Sequence, residues 1–544
     1  MILKKITRSF IVACLLASPL FIFCQELPTT KTFTPSDTVR TVEILPGVRK
    51  LEYRKIDSVT EIQILAGNVR LKQGNSIFEC DSCVITKRLN LFEAFGNVHI
   101  NDSDTAHVWS DHLRYLTDRR IAYLDGNVKL TDGKGTLTTP TLEYDVNTKV
   151  GIYRNGGKVV NEKTVLTSEE GFYYADLKDV YFKKNVRLKD PSYDLQSDSL
   201  LYNTGSEIVR FIAETFVKDS SGRTIRTREG YYDKRTGKAE FGQNPIVTDK
   251  DLQATGEKII SDDSTGITQI FNKGIIVDTA AKRTVIADTI LYNKKTESFL
   301  AYAKPLMIIE QEGDSVFVTA DTLFSAKLTD LYGESDSTIK KDTLQGVNVM
   351  DTKTKDSTDR YFEAFRNVRV FSDSMQAVCD SMFYSFKDSV FRLYYEPVLW
   401  SNESQITGDT ILLFTKNKKA DRMQVFKNSF IASLVKPEIF NQVKSTRMDA
   451  YFIDGNIDSV RARGAAECIY YIQDEDSAFT GINQSTSDLM DVYFKEKELQ
   501  RVVFRTQVKG TIWPMKDKSP SEMRLANFKW RDAERPKTKY EMFE

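Results

Sequence analysis

The sequence predicts an all-β repeat protein built from many short strands. Residues 67–71 read Gly-Asn-Val-Arg-Leu, and closely similar strings return at residues 96–100 and 126–130, at spacings of 29 and 30 residues. A second motif follows the first about 14 residues later in the chain. Both motifs alternate apolar with polar residues, which is typical of strands with one buried face. A fixed period of this length indicates stacked structural repeats.

The first motif continues in degenerate form along most of the chain. Later copies lie at residues 157–160, 185–188, 215–217, 244–247, 274–277 and 304–307. A polar stretch at 329–360 interrupts the period, which resumes at residues 366–370, 396–400 and 427–431 and loosens after about residue 440.

The second motif combines an aspartate with inward-facing apolar residues. Ser110-Asp-His-Leu-Arg-Tyr115 and Ser197-Asp-Ser-Leu-Leu-Tyr202 represent it well. Degenerate copies lie at residues 287–292, 320–324, 379–384, 408–413 and 487–493. We expect the aspartate to bond to nearby backbone in a turn, while the leucine and tyrosine pack inward.

Simple strand geometry gives a model of one repeat. A Gly-Asn step suits a tight turn because both residues tolerate positive φ. The two apolar residues after it, such as Val69 and Leu71, point to the same face of a strand. A third, weaker motif between the other two suggests about three short strands per repeat. No repeat buries its apolar face alone, so the copies are expected to stack.

The chain divides by sequence into six parts. Lys4, Lys5 and Arg8 precede an apolar run at residues 10–23, which predicts an export signal over residues 1–25. A linker at 26–46, a first repeat stack at 47–328, a polar insertion or joint at 329–360, a second stack at 361–511 and a tail or cap at 512–544 complete the prediction. Acylation of Cys24 is an alternative to simple cleavage, although the bulky Phe23 disfavours it.

Composition and motifs argue against several functional classes. The 76 basic residues balance 76 acidic ones, whereas nucleic-acid binders usually carry a basic excess. Cys80 and Cys83 lie on a predicted strand and are expected to be structural thiols, unless a turn falls between them. The acidic clusters at 102–104 and 262–263 are expected in turns, and His99 on a polar strand face. We therefore predict no catalytic residues, no metal site and no cofactor.

The two motifs, their offset and their period resemble those of the OstA-like, or LptA-like, lipopolysaccharide-transport family, which includes the organic-solvent-tolerance N-terminal-like domain. This resemblance implies a β-jellyroll, also called a β-taco, of two facing antiparallel sheets. It also implies a periplasmic bridge active in outer-membrane biogenesis, with association to the outer membrane as a further expectation. The implied partners are lipopolysaccharide, inner- and outer-membrane transport components joined by edge-strand pairing, and further copies of the chain.

By this resemblance, acyl chains of lipopolysaccharide lie in an apolar groove between the sheets. The candidate groove residues are the apolar pairs that follow the first motif: Val69, Leu71, Val98, Ile100, Val128, Leu130, Val186 and Leu188. A closed core would require the same alternation, so a structural or adhesive envelope protein remains the alternative. A β-helix enzyme acting on polysaccharide would share the periodic strands as well.

Overall fold

The computed structural model describes residues 42–102, 104–310, 315–332, 360–416, 419–454, 456–474, 476, 478–495 and 498–543. The predicted export signal, most of the linker and most of the polar insertion lie outside these residues. Strands dominate the described part of the chain, and all their pairings are antiparallel. The prediction of an all-β fold is confirmed.

The strands up to residue 262 alternate between long and short segments. They are β1 (Glu43–Ile44), β2 (Lys50–Lys55), β3 (Glu61–Gln73), β4 (Ser76–Thr86), β5 (Leu91–Asp102), β6 (Ala106–Leu116), β7 (Ile121–Thr131), β8 (Gly135–Asp145), β9 (Val150–Tyr153), β10 (Gly157–Asn161), β11 (Thr164–Ser168), β12 (Glu170–Tyr174), β13 (Asp179–Lys189), β14 (Tyr193–Asn203), β15 (Ile208–Phe211), β16 (Thr215–Asp219), β17 (Thr224–Thr227), β18 (Glu229–Asp233), β19 (Lys238–Gly242), β20 (Ile246–Asp249), β21 (Leu252–Thr255) and β22 (Lys258–Asp262).

The remaining strands continue the same arrangement. They are β23 (Ile267–Asp278), β24 (Arg283–Asn293), β25 (Ser298–Tyr302), β26 (Leu306–Glu310), β27 (Ser315–Thr319), β28 (Thr322–Lys327), β29 (Arg360–Phe371), β30 (Gln376–Ser385), β31 (Val390–Tyr394), β32 (Val398–Ser401), β33 (Ser404–Thr407), β34 (Thr410–Lys416), β35 (Lys419–Lys436), β36 (Ile439–Ile453), β37 (Asn456–Gln473), β38 (Phe479–Lys495), β39 (Glu498–Arg505) and β40 (Lys509–Trp513). Helical segments are short: α1 (Leu328–Tyr332) and single 3-10 turns at Lys87–Leu89, Asp532–Glu534 and Lys539–Met542.

Each long strand changes direction near its middle. The pairing of β3 with β4 shifts register between Ala66 and Val69, and β5 with β6 between Phe95 and Val98. Two successive residues with positive φ occupy each break, as at Gly96 (73°) and Asn97 (44°). Left-handed pairs recur at residues 67–68, 126–127, 184–185, 243–244, 272–273, 303–304, 366–367, 395–396, 427–428, 464–465 and 506–507. We call these positions corners.

The corners divide the strands into two facing sheets, here called walls. Wall 1 contains β2, residues 61–66 of β3, 82–86 of β4 and 91–95 of β5, and it continues through the equivalent halves. Wall 2 contains β1 and the other halves of the same strands. Where a strand is interrupted at its corner, as in β9 and β10, the two pieces pair on separate walls. Both walls run without interruption past the polar insertion, through the pairings of β29 with β27 and β28.

One apolar core fills the space between the walls. It extends from Leu65 to Val492 and contains inward residues of both walls, such as Val98 from wall 2 and Leu113 from wall 1. Each repeat therefore consists of two long bent strands rather than three short straight ones. The Gly-Asn step bends a strand between walls, and does not form a turn between strands.

The C-terminal residues cross the outer face of wall 2. Met523 and Leu525 are buried against Phe430, Ile469 and Ile482. Further along, Met542 packs against Leu306 and Phe371. We call residues 514–543 the strap, because they run back along strands that precede them by more than a hundred residues.

Two glutamines hold the strap to wall 2. The side-chain amide of Gln442 donates to the Met523 carbonyl and accepts from the Leu525 N–H, both over 2.9 Å. Gln405 forms the same pair of bonds with Lys529 and Arg531, at 2.7 and 2.6 Å. Their strand neighbours Val443 and Ile406 lie in the core between the walls, so both glutamines point outward.

Candidate functional site

The two sequence motifs meet at the corners. Asn127 of the first motif donates its side-chain N–H to Asp111 of the second motif over 2.7 Å. Asn97 and Asp81 make the same bond at 2.8 Å. The equivalent carboxylate–asparagine pairs are Glu169–Asn185, Glu257–Asn272, Asp321–Asn367 and Asp409–Asn428. The expectation that the aspartate bonds to nearby backbone in a turn was therefore wrong for these corners, because its carboxylate accepts from an asparagine of the neighbouring strand.

Glycine at the corner leaves room for this carboxylate. A Cβ added to Gly126 would lie 2.6 Å from the Asp111 Oδ2, and one added to Gly96 would lie 2.5 Å from the Asp81 Oδ2. Both glycines also have positive φ, which disfavours residues with a side chain. The corner thus explains why glycine, asparagine and aspartate recur together in the sequence.

The candidate groove residues all lie on wall 2 and point between the walls. They belong to one core and are 0–3% exposed: Val69, Leu71, Val98, Ile100, Val128, Leu130, Val186 and Leu188. Wall 1 faces them with larger side chains, including Phe92, Tyr115 and Tyr144. In this structure the interior is therefore packed by protein along the first repeats.

Hydrogen bonds close the side of the fold that lies opposite the corners, here called the mouth. The Tyr115 hydroxyl on wall 1 donates to Gln73 on wall 2 over 2.6 Å. The Tyr144 hydroxyl donates to Asp102 over 3.0 Å, and Ser76 donates to the same carboxylate over 2.9 Å. Because these groups are buried, the bonds between them satisfy polar atoms that would otherwise be costly.

The next bridge across the mouth joins Tyr173 to Asp132 at 3.2 Å. Burial alone would raise the pKa of Asp132. The N–H groups of Gly135 and Lys134, together with the Tyr173 hydroxyl, outweigh burial and hold this pKa below its ordinary value. Burial and the Asp132 charge raise the pKa of Tyr173. Both shifts favour the hydrogen-bonded pair of a carboxylate with a neutral phenol.

Bridges of other chemistry continue along the mouth. Asn161 donates to the Tyr202 hydroxyl over 3.0 Å. Lys234 of wall 1 pairs with Asp190 of wall 2 at 2.9 Å. Burial would raise the pKa of Asp190, but Lys234 and Thr164 hold it below its ordinary value.

The sequence analysis missed this role. Asp102 was expected in a surface turn; it is instead 3% exposed at the end of β5, because it accepts bonds from two buried hydroxyls. The signal was present as a tyrosine every 29 residues, at positions 115, 144, 173 and 202. Their polar partners recur at the same interval on the opposite wall.

The mouth is open further along the chain. A cavity of about 590 Å³ lies between the walls and is lined by residues from positions 249 to 360. Core-facing side chains that are buried in the first repeats have half-buried counterparts here, including Ile276, Tyr292 and Phe299. The cavity combines apolar side chains with charged ones at its rim.

The cysteines and histidines form smaller local clusters. The corner between Asp81 and Ser82 brings Cys80 and Cys83 together, and both are buried free thiols. A hydrogen bond to Cys80 and burial raise the pKa of Cys83. On the outer face of wall 2, as expected, His99 stacks on Trp109 with ring centroids 4.9 Å apart. No group of three or more potential metal ligands is found among the described residues.

Comparison with known proteins now adds a family. Residues 44–198 match the family model described as OstA-like protein. The chain is OstA-like over these residues. No curated protein matches the sequence.

The OstA-like region contains the closed mouth from Gln73 to Tyr173, whereas the cavity lies beyond it. Among solved structures, the chain is similar to LptH from Pseudomonas aeruginosa, described as the LptA homologous periplasmic component of the conserved lipopolysaccharide transport device. The identity is 17%, the alignment covers 20% of this chain and 82% of LptH, and the TM-score is 0.19. Within the described residues, no helix combines the length and apolar composition that crossing a membrane requires.

Proposed function

We propose that the chain is a periplasmic bridge that shelters the acyl chains of lipopolysaccharide between its two walls during transport to the outer membrane. The observation that carries this proposal is the single apolar core running between facing walls, in a chain whose residues 44–198 are OstA-like. The role is binding and transport rather than catalysis, and it needs no cofactor. Val69, Leu71, Val98, Ile100, Val128, Leu130, Val186 and Leu188 form the proposed lining on wall 2.

Entry of a lipid requires the walls to part at the mouth. Burial of about ten methylene groups contributes about 8 kcal/mol. Loss of one buried hydrogen bond, such as that between Tyr144 and Asp102, costs about 1–3 kcal/mol. An acyl chain also replaces the contacts that the opposite wall gives up. The apolar gain therefore exceeds the cost of opening one bridge at a time.

The ends of the walls offer places for partners. The outer edges of β1 and β2 at one end, and of β39 and β40 at the other, carry no partner strand among the described residues. Such edges accept an added strand. Inner- and outer-membrane transport components, or further copies of the chain, are the proposed partners at these edges.

A structural stack of the envelope is the second candidate, and one observation favours it. The proposed lining residues are 0–3% exposed and the mouth beside them is bridged, as expected of a closed core. In that case the walls would never part, and no lipid would reach Val98 or Val128.

Binding to deacylated lipopolysaccharide separates the two candidates. The purified full chain is mixed with intact lipopolysaccharide or with the same molecule stripped of its acyl chains, and complexes are measured by sedimentation. The proposed function predicts a complex with the intact molecule only. Equal binding of both forms, or binding of neither, would contradict it.

A further inference from the structure

The open part of the mouth contains an amphipathic cavity. Its volume of about 590 Å³ lies within the range of small-molecule sites, roughly 300–1,000 Å³. Wall 2 contributes Ile276 and Met307, and wall 1 contributes Tyr292 and Phe299. The cavity therefore has an apolar surface on both sides.

Two arginines line the same cavity. Arg283 is 9% exposed; its Nη2 donates to Asp278 over 2.7 Å and its guanidinium lies 4.8 Å from the centre of the Phe386 ring. The Arg360 Nη2 donates to the Glu297 carbonyl over 2.5 Å. Among the described residues, the buried Nε atoms of both arginines have no hydrogen-bond partner. A buried N–H without an acceptor is rare in proteins and indicates a missing partner such as an ion.

The charges around the arginines leave this demand unmet. Asp278 bonds to Nη2 of Arg283, and the Glu297 carboxylate pairs with Lys327 at 3.1 Å while lying 3.9 Å from the Arg360 Nη1. Burial and repulsion from Arg283 lower the pKa of Arg360. The cavity lining also includes Lys250 and Lys294 beside Asp249 and Asp251. An anion between the two guanidinium groups would reduce their repulsion and accept from both Nε atoms.

We propose that Arg283 and Arg360 bind the phosphoryl group of an amphiphile whose apolar part lies against Ile276, Phe299 and Met307. Arginine suits this ligand because its planar N–H donors match the oxygens of a phosphate. The lipid part of the inference rests on the proposed function. The anion part rests on the two arginines alone.

Titration calorimetry on the purified full chain tests the site with three probes: dodecyl phosphate, inorganic phosphate and the uncharged dodecyl maltoside. Dodecyl phosphate is expected to bind most tightly. Substitution Arg283→Gln or Arg360→Gln should weaken it by about tenfold or more, because a charged hydrogen bond is lost. Binding of dodecyl maltoside should not change. Arg187→Gln, at an exposed position of β13, is the matched control and should bind like the wild type.

Circular dichroism establishes that each variant is folded. Should Arg283→Gln fail to fold, the more exposed Arg360 supplies the test through Arg360→Gln. Unchanged binding of dodecyl phosphate in the folded variants would overturn the anion site. Equal affinity for inorganic and dodecyl phosphate would overturn the lipid part and indicate a site for the free ion.

Intact lipopolysaccharide distinguishes the two proposals. If it fails to bind while dodecyl phosphate still requires both arginines, the proposed function falls and the anion site stands. If it binds equally to the wild type and to both arginine variants, the anion site falls and the proposed function stands.

Discussion

The hydroxyl of Tyr144 on wall 1 donates to the carboxylate of Asp102 on wall 2 over 3.0 Å, and so joins the two walls on the side opposite their corners. Equivalent bonds at Tyr115 and Tyr173 follow the 29-residue period. The repeat is thus fixed on both sides, by asparagine–carboxylate bonds at the corners and tyrosine bonds at the mouth.

Removing the Tyr144 hydroxyl is expected to weaken the fold. Tyr144→Phe leaves Asp102 with Ser76 as a donor but without its bond to the opposite wall. The free energy of unfolding, measured in urea, should fall by about 1–3 kcal/mol. Tyr123→Phe, at an exposed tyrosine on the same wall, should have little effect. Equal values for the two variants would show that the bridge contributes nothing.

Gly126 tests the contact at the corner. Gly126→Ala places a Cβ 2.6 Å from Asp111, whereas Gly133→Ala meets nothing within 4 Å although Gly133 also has positive φ. Both changes carry the left-handed penalty of about 1–2 kcal/mol. The melting temperature should therefore fall further for Gly126→Ala. The same decrease in both variants would argue that backbone conformation alone selects glycine at the corner.

Acid should weaken the Asp132 bridge. Since the pKa of Asp132 is lower in the folded chain than its ordinary value of 3.8, its stabilising effect is present above that pH and is lost as the pH falls through the folded pKa. The stability of Asp132→Asn should therefore depend less on pH below about 4 than that of the wild type. Asp194→Asn, at an exposed position of β14, serves as the control. Parallel pH profiles for wild type and Asp132→Asn would refute this assignment.

The strap depends on two glutamines. Replacement of Gln405 and Gln442 by alanine removes four bonds to strap backbone and leaves buried polar groups without partners. Limited proteolysis within residues 514–543 should become faster by about tenfold, since each lost pair contributes about 1 kcal/mol or more. Gln253→Ala on the exposed face of β21 should leave the rate unchanged. Unaltered cleavage in the double variant would mean that apolar contacts alone hold the strap.

The sequence predicts the strand content and the inward residues well, because alternation and period depend on local geometry. Val98 and Ile100 are buried and His99 lies on the outer face, as expected. The bend at Gly96 and Asn97 was interpreted as a turn, since positive φ alone does not distinguish a turn from a bulge in a continuous strand.

Contacts between distant residues were not predictable from local patterns. Asp102 meets Tyr144 across 42 positions, and Gln405 meets Arg531 across 126. Nothing in the residues near Gln405 indicates that a later segment covers them. The opening near Arg283 depends on the absence of bridges that the earlier repeats contain, which becomes visible only once both walls are in place.

Photocrosslinking in Gram-negative cells tests the central claim most directly. A photoreactive residue replaces Val98, Val128 or Leu188, which face the interior of wall 2, or Lys129, whose side chain lies over Trp109 on the outer face. Adducts with lipopolysaccharide at the three interior positions but not at Lys129 are the predicted result. A folded, exported protein that gives no adduct at any interior position would contradict the claim and identify the interior as a closed core.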